Sequence, residues 1–302
     1  MTGQREQVKT MTTPTIGFDC DISALHRLVE MALAEDIASG DLTGQATVSA
    51  DAKCRATLLL KEPAVVAGLG VFELVLKALD PDLVFEPLVC DSQRIDEVPC
   101  SLAQVQGKAR AVLAAERTAL NLIQRMCGIA TLTRKYVDIA SGSGIEILDT
   151  RKTTPGLRVI EKAATKIGGG TNHRFGLYDG ILIKDNHRAI AGGVTAAIRM
   201  ARQEYPQMPV EIEVNTREQL QEALALGAER IMLDNMSPAE VAACAAIAGG
   251  KTYIEVSGGV NLSNLSDYLI RGVNGISIGA LTHSAKNVDI SLEFEELSHD
   301  KH

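Results

Sequence analysis

Between Asp149 and His187 the chain reads DTRKTTPGLRVIEKAATKIGGGTNHRFGLYDGILIKDNH, with seven Lys and Arg against four Asp and Glu, and two His. The protein as a whole carries a formal net charge of -8. A local excess of cations in an acidic chain points to a small anionic ligand, because binding and steering follow the local field. The charges cluster at Asp149-Thr150-Arg151-Lys152 and at Lys184-Asp185-Asn186-His187, where chain direction changes. Next to a run of three glycines, His173 and Arg174 add an imidazole and a planar guanidinium, a combination suited to pairing with carboxylate. Further on, Glu213 and Asp234 each follow a short aliphatic run. Such a pair suits ribose hydroxyls, water on Mg²⁺, or general acid and base work. Ser257-Gly258-Gly259 and Gly279 with His283 supply turns where backbone N–H groups can approach phosphate. No nucleophilic Cys or GxSxG elbow is evident, which argues against acyl-enzyme chemistry.

These residues need a scaffold that gathers them. From residue 143 onward, aliphatic runs alternate with amphipathic helical patterns. Strands are expected at Ile145 to Leu148, Gly180 to Ile183, Val210 to Val214, Arg230 to Leu233, Thr252 to Val256 and Gly275 to Ile278. Helices are expected at Val194 to Tyr205, Arg217 to Leu226, Pro238 to Ile247 and Leu262 to Arg271. The spacing of about 22 residues from Val210 fits successive βα units. Such units bury a parallel sheet on both faces and close toward a barrel, whose functional rim lies at the carboxyl ends of the strands. Six strands rather than eight predict an open, incomplete β/α barrel, with a seventh strand conceivable near Lys166 to Gly170.

The first third differs. Helical patterns at Ile22 to Ala34 and Val71 to Leu79 mix with alternating runs at Lys53 to Glu62 and Gln104 to Ala114, and a long helix is expected from Ala115 to Ser141. The fold class is therefore α/β, with an N-terminal α+β domain at 16–128, a barrel at 129–287, a loose tail at 1–15, and an end at 288–302 that either returns to the first domain or frays.

Composition narrows the class. The 302 residues are 46% hydrophobic, contain no Trp and few aromatic residues, and include six Cys without metal-ligand spacing. That pattern fits an aliphatic α/β core in a reducing cytoplasm and disfavours zinc sites, disulfide frameworks and base-stacking nucleic-acid modules. No apolar run reaches the length of a membrane span.

The runs DTRKTTPGLR, GGGTNHRFGLYDGILIKDNH, VEIEVNT, IMLDNMSP, EVSGGVN and ISIGALTHS, with EDIASGDLT at 35–43 and ERTALNLIQRMCGIAT at 116–131, resemble the quinolinate phosphoribosyltransferase family. The resemblance spans nearly the whole chain after about residue 16. It implies transfer of a phosphoribosyl group from 5-phosphoribosyl 1-diphosphate to quinolinate with loss of CO₂, on an open barrel with a sandwich-like first domain. It also implies Mg²⁺ dependence and an obligate homodimer, with assembly beyond the dimer left open. By the same resemblance, Arg117 (from the partner subunit), Arg151, His173, Arg174 and Lys184 would hold quinolinate. Lys152, Glu213, Asp234, Ser257, Gly258, Gly259, Gly279 and His283 would hold the phosphoribosyl donor, with Glu213 and Asp234 as metal ligands. Lys152, Lys184, Glu213 and Asp234 would carry the catalysis. Three rivals are weighed at this level: a Schiff-base aldolase or lyase using Lys184, a non-catalytic sugar-phosphate binding protein, against which the presence of both Glu213 and Asp234 argues, and a phosphoribosyltransferase for another aromatic acid.

Overall fold

In the computed structural model the described residues are 20–295. The tail at 1–15, residues 16–19 of the expected first domain, and residues 296–302 lie outside them. The chain divides into two units, one formed by residues up to Cys127 together with those from Val288, the other by Gly128–Asn287.

In the first unit, helices α1 (Ile22–Ile37) and α2 (Leu42–Thr47) each begin at an aspartate, Asp21 and Asp41, whose side chain caps the first free N–H groups. Strands β1 (Lys53–Leu60) and β2 (Ala64–Val65) follow, then α3 (Leu69–Leu79), β3 (Val84–Pro87), β4 (Arg94–Ile95), β5 (Cys100–Lys108) and α4 (Ala109–Ala140). An antiparallel sheet runs in the order Ile290–Phe294, β1, β5, β3. The C-terminal segment thus returns to this unit as a paired strand, with Leu58 opposite Leu292. Phe72 of α3 meets Phe85 of β3 at 6.1 Å between ring centroids, which sets the helix against the sheet. The alternation expected across Gln104 to Ala114 is corrected: the strand begins earlier, at Cys100, and ends at Lys108. From Ala109 the residues ARAVLAAERTAL are strong helix formers, and helix propensity overrides the apparent period of two.

The second unit is a six-stranded parallel sheet of β6 (Glu146–Leu148), β7 (Ile181–Ile183), β8 (Val210–Val214), β9 (Arg230–Asp234), β10 (Tyr253–Ser257) and β11 (Gly275–Ser277), in the order β6-β11-β10-β9-β8-β7. The last strand pairs with the first, while β6 and β7, consecutive in the chain, form opposite edges. The barrel is open between them. Helices α5 (Arg158–Ile167), α6 (Asp185–Ala191), α7 (Val194–Glu204), α8 (Arg217–Ala225), α9 (Pro238–Ala248) and α10 (Ala280–His283) fill the connections.

Two expectations are corrected here. Lys166 to Gly170 holds no seventh strand: α5 runs to Ile167, the glycines turn, and only Thr171 bridges to Leu148. Leu262 to Arg271 is not an α-helix but a short 3-10 turn at Leu265–Tyr268. In that segment Asn261 and Asn264 bond local backbone and side-chain groups instead of continuing a helix.

The strands bury their two faces against different things. Val210, Ile212, Val214, Ile231, Leu233, Ile254, Val256 and Ile276 join a single aliphatic core with the helices. Their alternate neighbours, Met232 apart, are polar, among them Glu211, Glu213, Arg230, Asp234, Glu255 and Ser257. The registers align Glu211 with Arg230 with Tyr253, and Asp234 with Ser257 with Ser277. Period two therefore separates an apolar outer face from a polar inner one. Gly275 makes the inner layer possible. A Cβ there would lie 2.3 Å from the Tyr253 hydroxyl, which passes over it to donate to Glu146 Oε2 at 2.8 Å.

Candidate active site

A cavity of about 630 Å³ opens on that inner face, at the carboxyl ends of the strands. It is lined by twelve of the thirteen residues singled out from sequence. They are Arg151, Lys152, His173, Arg174, Lys184, Glu213, Asp234, Ser257, Gly258, Gly259, Gly279 and His283. Arg117 lies on α4 in the first unit and is not among the lining residues.

The cationic end is built on a buried ion pair. After β6, Asp149 is fully buried and faces Lys162 of α5, itself 1% exposed. Asp149 accepts from the backbone N–H of His173 at 2.9 Å, and Lys162 donates to the His173 carbonyl at 2.9 Å. Burial pushes the Asp149 carboxyl up to about 6 against the pull of Lys162, and burial lowers Lys162 despite Asp149. This pair ties the loop after β6 to the loop carrying His173 and Arg174. Arg158 braces the same region, donating to Thr153 Oγ1 at 2.9 Å and to the Phe175 carbonyl at 3.1 Å. The triple-glycine turn is packed tightly. A Cβ on Gly168 would lie 2.6 Å from the Ala130 carbonyl, and one on Gly170 would lie 2.8 Å from Thr165.

Within this frame, Arg174 donates to the Gly180 carbonyl at 2.9 Å. Burial, and then the charge of Arg151, pull its pKa down from the usual guanidinium value. The Nε atoms of both Arg151 and Arg174 are buried without a hydrogen-bond partner among the described residues. Two crowded guanidinium groups with unsatisfied donors favour a planar anion. Lys184, at the end of β7, is half-exposed and lies 3.5 Å from Glu213 Oε2.

Glu213 and Asp234 end neighbouring strands. The Glu213 carboxyl is raised first by burial and next by the charge of Asp234, so the two acids repel across the cavity. Two close carboxylates form an oxygen-only donor set that fits Mg²⁺. Downstream, Thr216 caps α8 and Ser237 with Pro238 caps α9, so each helix begins directly after its strand-end acid. Asn235 adopts a left-handed φ of 54° and donates to Asp234 Oδ2 at 2.6 Å.

The opposite end is made of glycine turns. Gly258 and Gly259 have φ of 91° and 70°, an arrangement in which successive N–H groups converge on an anion. A Cβ on Gly258 would lie 2.3 Å from Asn235 Oδ1. The Lys152 stem passes over Gly279, whose Cβ would meet it at 2.8 Å and the His283 ring at 3.3 Å. Thr282 holds this arrangement by donating to the Lys152 carbonyl at 2.9 Å. Gly258→Ala is expected to cost about 1–3 kcal/mol of local strain and to dislodge Asn235 from Asp234. Steady-state kinetics should then show a raised KM for a phosphorylated donor and little change for the acceptor. An equal change in both would separate this turn from the donor end.

The strand-end residues were legible from sequence, but a deeper layer was not. Glu211 and Glu255, both buried, join the partly exposed Arg230 and Tyr253 and the exposed Glu146 in a polar set below the cavity. His173 Nε2 lies 3.1 Å from Glu211 Oε2 and 3.6 Å from Glu255 Oε2. Arg230 NH2 lies 3.5 Å from Glu255 Oε2, and its guanidinium sits 3.9 Å above the Tyr253 ring. Burial and the charge of Glu211 push Glu255 up to about 7, while Glu211 is lowered against its burial by His173. Burial alone would lower the His173 pKa, but the Glu211 hydrogen bond and both carboxylate charges raise it overall. The strict alternation in VEIEV was the available signal: only every second residue can be part of the aliphatic core.

Comparison with known proteins agrees with this layout. The quinolinate phosphoribosyl transferase C-terminal domain model matches residues 129–293, and the N-terminal domain model matches 41–127. The chain is 43% identical over 272 residues to a probable nicotinate-nucleotide pyrophosphorylase [carboxylating] of Bacillus subtilis, covering 89% of this chain and 93% of that protein. It is 42% identical over 281 residues to the nicotinate-nucleotide pyrophosphorylase [carboxylating] of Mycobacterium leprae, covering 91% and 99%. The solved structure of the Francisella tularensis nicotinate-nucleotide pyrophosphorylase superposes with a TM-score of 0.86 at 37% identity, covering 92% of this chain and 98% of that one.

Proposed function

Since the chain belongs to the quinolinate phosphoribosyltransferase family, we propose that it is a pentosyltransferase acting on quinolinate. It transfers the phosphoribosyl group of 5-phosphoribosyl 1-diphosphate to the ring nitrogen, giving nicotinate mononucleotide, pyrophosphate and CO₂ for NAD synthesis. The observation that carries this reading is the polarity of one cavity. Crowded cations with unsatisfied donors gather by the edge strands β6 and β7, glycine turns follow β10 and β11, and paired carboxylates stand at β8 and β9 between β7 and β10.

Arg151, Arg174 and Lys184 hold the two carboxylates of quinolinate, with His173 in the same wall. Fixed cationic donors match a planar dianion. Ser257, Gly258, Gly259, Gly279 and His283 receive phosphate oxygens, and Lys152 neutralises the departing diphosphate. Glu213 and Asp234 take ribose hydroxyls and are the residues that would hold Mg²⁺. When bound, the ion neutralises diphosphate charge and so makes it a better leaving group. The nitrogen lone pair of quinolinate attacks C1′ as the C1′–O bond breaks, and the electrons leave with pyrophosphate. The two acids stabilise positive charge developing on the ribosyl carbon. Cations beside a carboxylate stabilise the ground state, so CO₂ departs after ribosylation. The C2–carboxylate electrons then remain at C2 beside the quaternary nitrogen until a proton from solvent is taken up. Positioning and electrostatics account for the rate, and no covalent enzyme intermediate is required.

The same reading takes the protein as a cytoplasmic homodimer in which Arg117 reaches the quinolinate site of the partner subunit. The resemblance of segment 116–131 supports it. No helix among the described residues is long and apolar enough to cross a membrane, and no disulfide joins the cysteines.

The test is incubation of the protein with Mg²⁺, 5-phosphoribosyl 1-diphosphate and carboxyl-labelled quinolinate. Equimolar CO₂ and nicotinate mononucleotide are expected, each dependent on every component. Binding of quinolinate without product would reject the activity and leave only the acceptor pocket.

A further inference from the structure

Glu211 and Glu255 are 5% and 0% exposed, on strands whose other faces are wholly aliphatic. A buried carboxylate adds little to stability, because desolvation offsets its pairing, and an apolar residue of similar size often serves the fold as well. These two acids therefore call for another explanation, and their geometry supplies one. Both converge on a single atom, His173 Nε2, at 3.1 and 3.6 Å. The other ring nitrogen, Nδ1, accepts from the backbone N–H of Arg174 at 2.7 Å. With Nδ1 accepting, a neutral ring carries its proton on Nε2. The two carboxylates face that atom at ion-pair distance without an aligned hydrogen bond, and their charge favours that tautomer. Among the described residues the Arg174 side chain has one hydrogen bond of its own, to the Gly180 carbonyl. Its direction thus depends on how its backbone is held, and that hold runs through His173.

We infer that Glu211 and Glu255 are positioning residues for the acceptor end of the site, acting through the His173 ring on the orientation of Arg174. Arg230 completes the device. It lies 3.5 Å from Glu255 and is steadied over Tyr253, which is itself anchored on Glu146. The ligand atoms of His173, Glu211 and Glu255 lie within 4.8 Å of one another, a spacing a metal ion could use. Arg230 is the reason for the other assignment, since its partly exposed guanidinium already supplies positive charge beside the buried Glu255. The inference rests on the proposed reading of the cationic end as the quinolinate site.

The experiment is a double-mutant cycle in the full-length protein with Glu211→Gln, Glu255→Gln and His173→Gln, singly and in pairs. Each Glu→Gln variant should raise the KM for quinolinate about tenfold, with that for 5-phosphoribosyl 1-diphosphate within about twofold and the thermal midpoint not lowered. Adding Glu211→Gln to His173→Gln should produce no further loss, because the acids act through the ring. Multiplying losses, an equal rise in both KM values, or Zn²⁺ raising the thermal midpoint of the wild type but not of Glu255→Gln would overturn the inference. A second readout does not depend on turnover or on the folding of variants. In the ¹⁵N spectrum of histidine-labelled wild type, taken at a pH high enough to deprotonate a ring whose pKa is raised, neutral His173 should carry its proton on Nε2. A proton on Nδ1 would sink the positioning role. If quinolinate is not a substrate but His173 shows this tautomer, the acceptor reading fails and the link between the acids and Arg174 stands.

Discussion

Arg174→Ala is expected to raise the KM for quinolinate about a hundredfold while leaving that for 5-phosphoribosyl 1-diphosphate within about threefold. The magnitude follows from the loss of a desolvated, charge-assisted pair with carboxylate, worth about 3 kcal/mol when one partner is removed. The selectivity follows from position. Arg174 shares its part of the cavity with Arg151, whose charge already lowers its pKa, whereas the glycine turns belong to β10 and β11. Relief of two like charges by a dianion is specific to the acceptor. Arg174→Lys should recover only part of the loss, since an ammonium keeps the charge but not the fork of donors. Initial-rate kinetics with each substrate varied in turn decides the matter. A parallel rise in both constants would show that Arg174 shapes the cavity and does not select the acceptor.

The second large effect is on stability. Lys162→Met should destabilise the protein by about 3–5 kcal/mol near pH 8, because it leaves the Asp149 carboxylate buried without its counter-charge. In a chain of this size the thermal midpoint should fall by about 10 °C. The loss depends on pH. Asp149 already has its folded pKa pushed up to about 6, above the ordinary aspartate value of about 3.9, so the folded state holds this proton more tightly than the unfolded one. Its contribution to stability is complete below about pH 4 and is lost as pH rises through about 6. Without Lys162 the carboxyl pKa rises further, so at pH 5 the buried group is neutral and the loss should be smaller than at pH 8. Thermal melts of both proteins at the two pH values test this, and an equal drop at both would argue that Lys162 acts only through packing. Asp149→Leu combined with Lys162→Met should restore much of the stability. It should not restore quinolinate binding, because the His173 backbone would lack both of its partners.

The places where sequence and structure part company share one physical cause. The strand ends were legible because a βα unit advertises itself locally: Val210 to Val214 is aliphatic, and Thr216 and Ser237 are N-cap residues at the starts of helices. Leu262 to Arg271 misled because its leucines fall at helical spacing, while Asn261 and Asn264 divert the backbone into turns. The supposed seventh strand near Gly170 was an inference from strand count. The order β6-β11-β10-β9-β8-β7 shows instead that the sheet stays open between its first two strands.

By itself the sequence determined the family, the two kinds of structure in the chain, and the residues at the strand ends that line the cavity. All of these are written in contiguous runs whose residue types and spacing carry their own local physics. Only the tertiary structure decided which polar side chains share the interior. Glu211, Arg230, Tyr253, Glu255 and Glu146 come from four strands, and the register across the sheet brings them together. The tertiary structure also decided that Asp149, next to the cationic motif, pairs with Lys162 thirteen residues away rather than facing the cavity. Pairing across strands and burial of a charge are properties of the assembled barrel, because they depend on which faces meet and how much water is left between them.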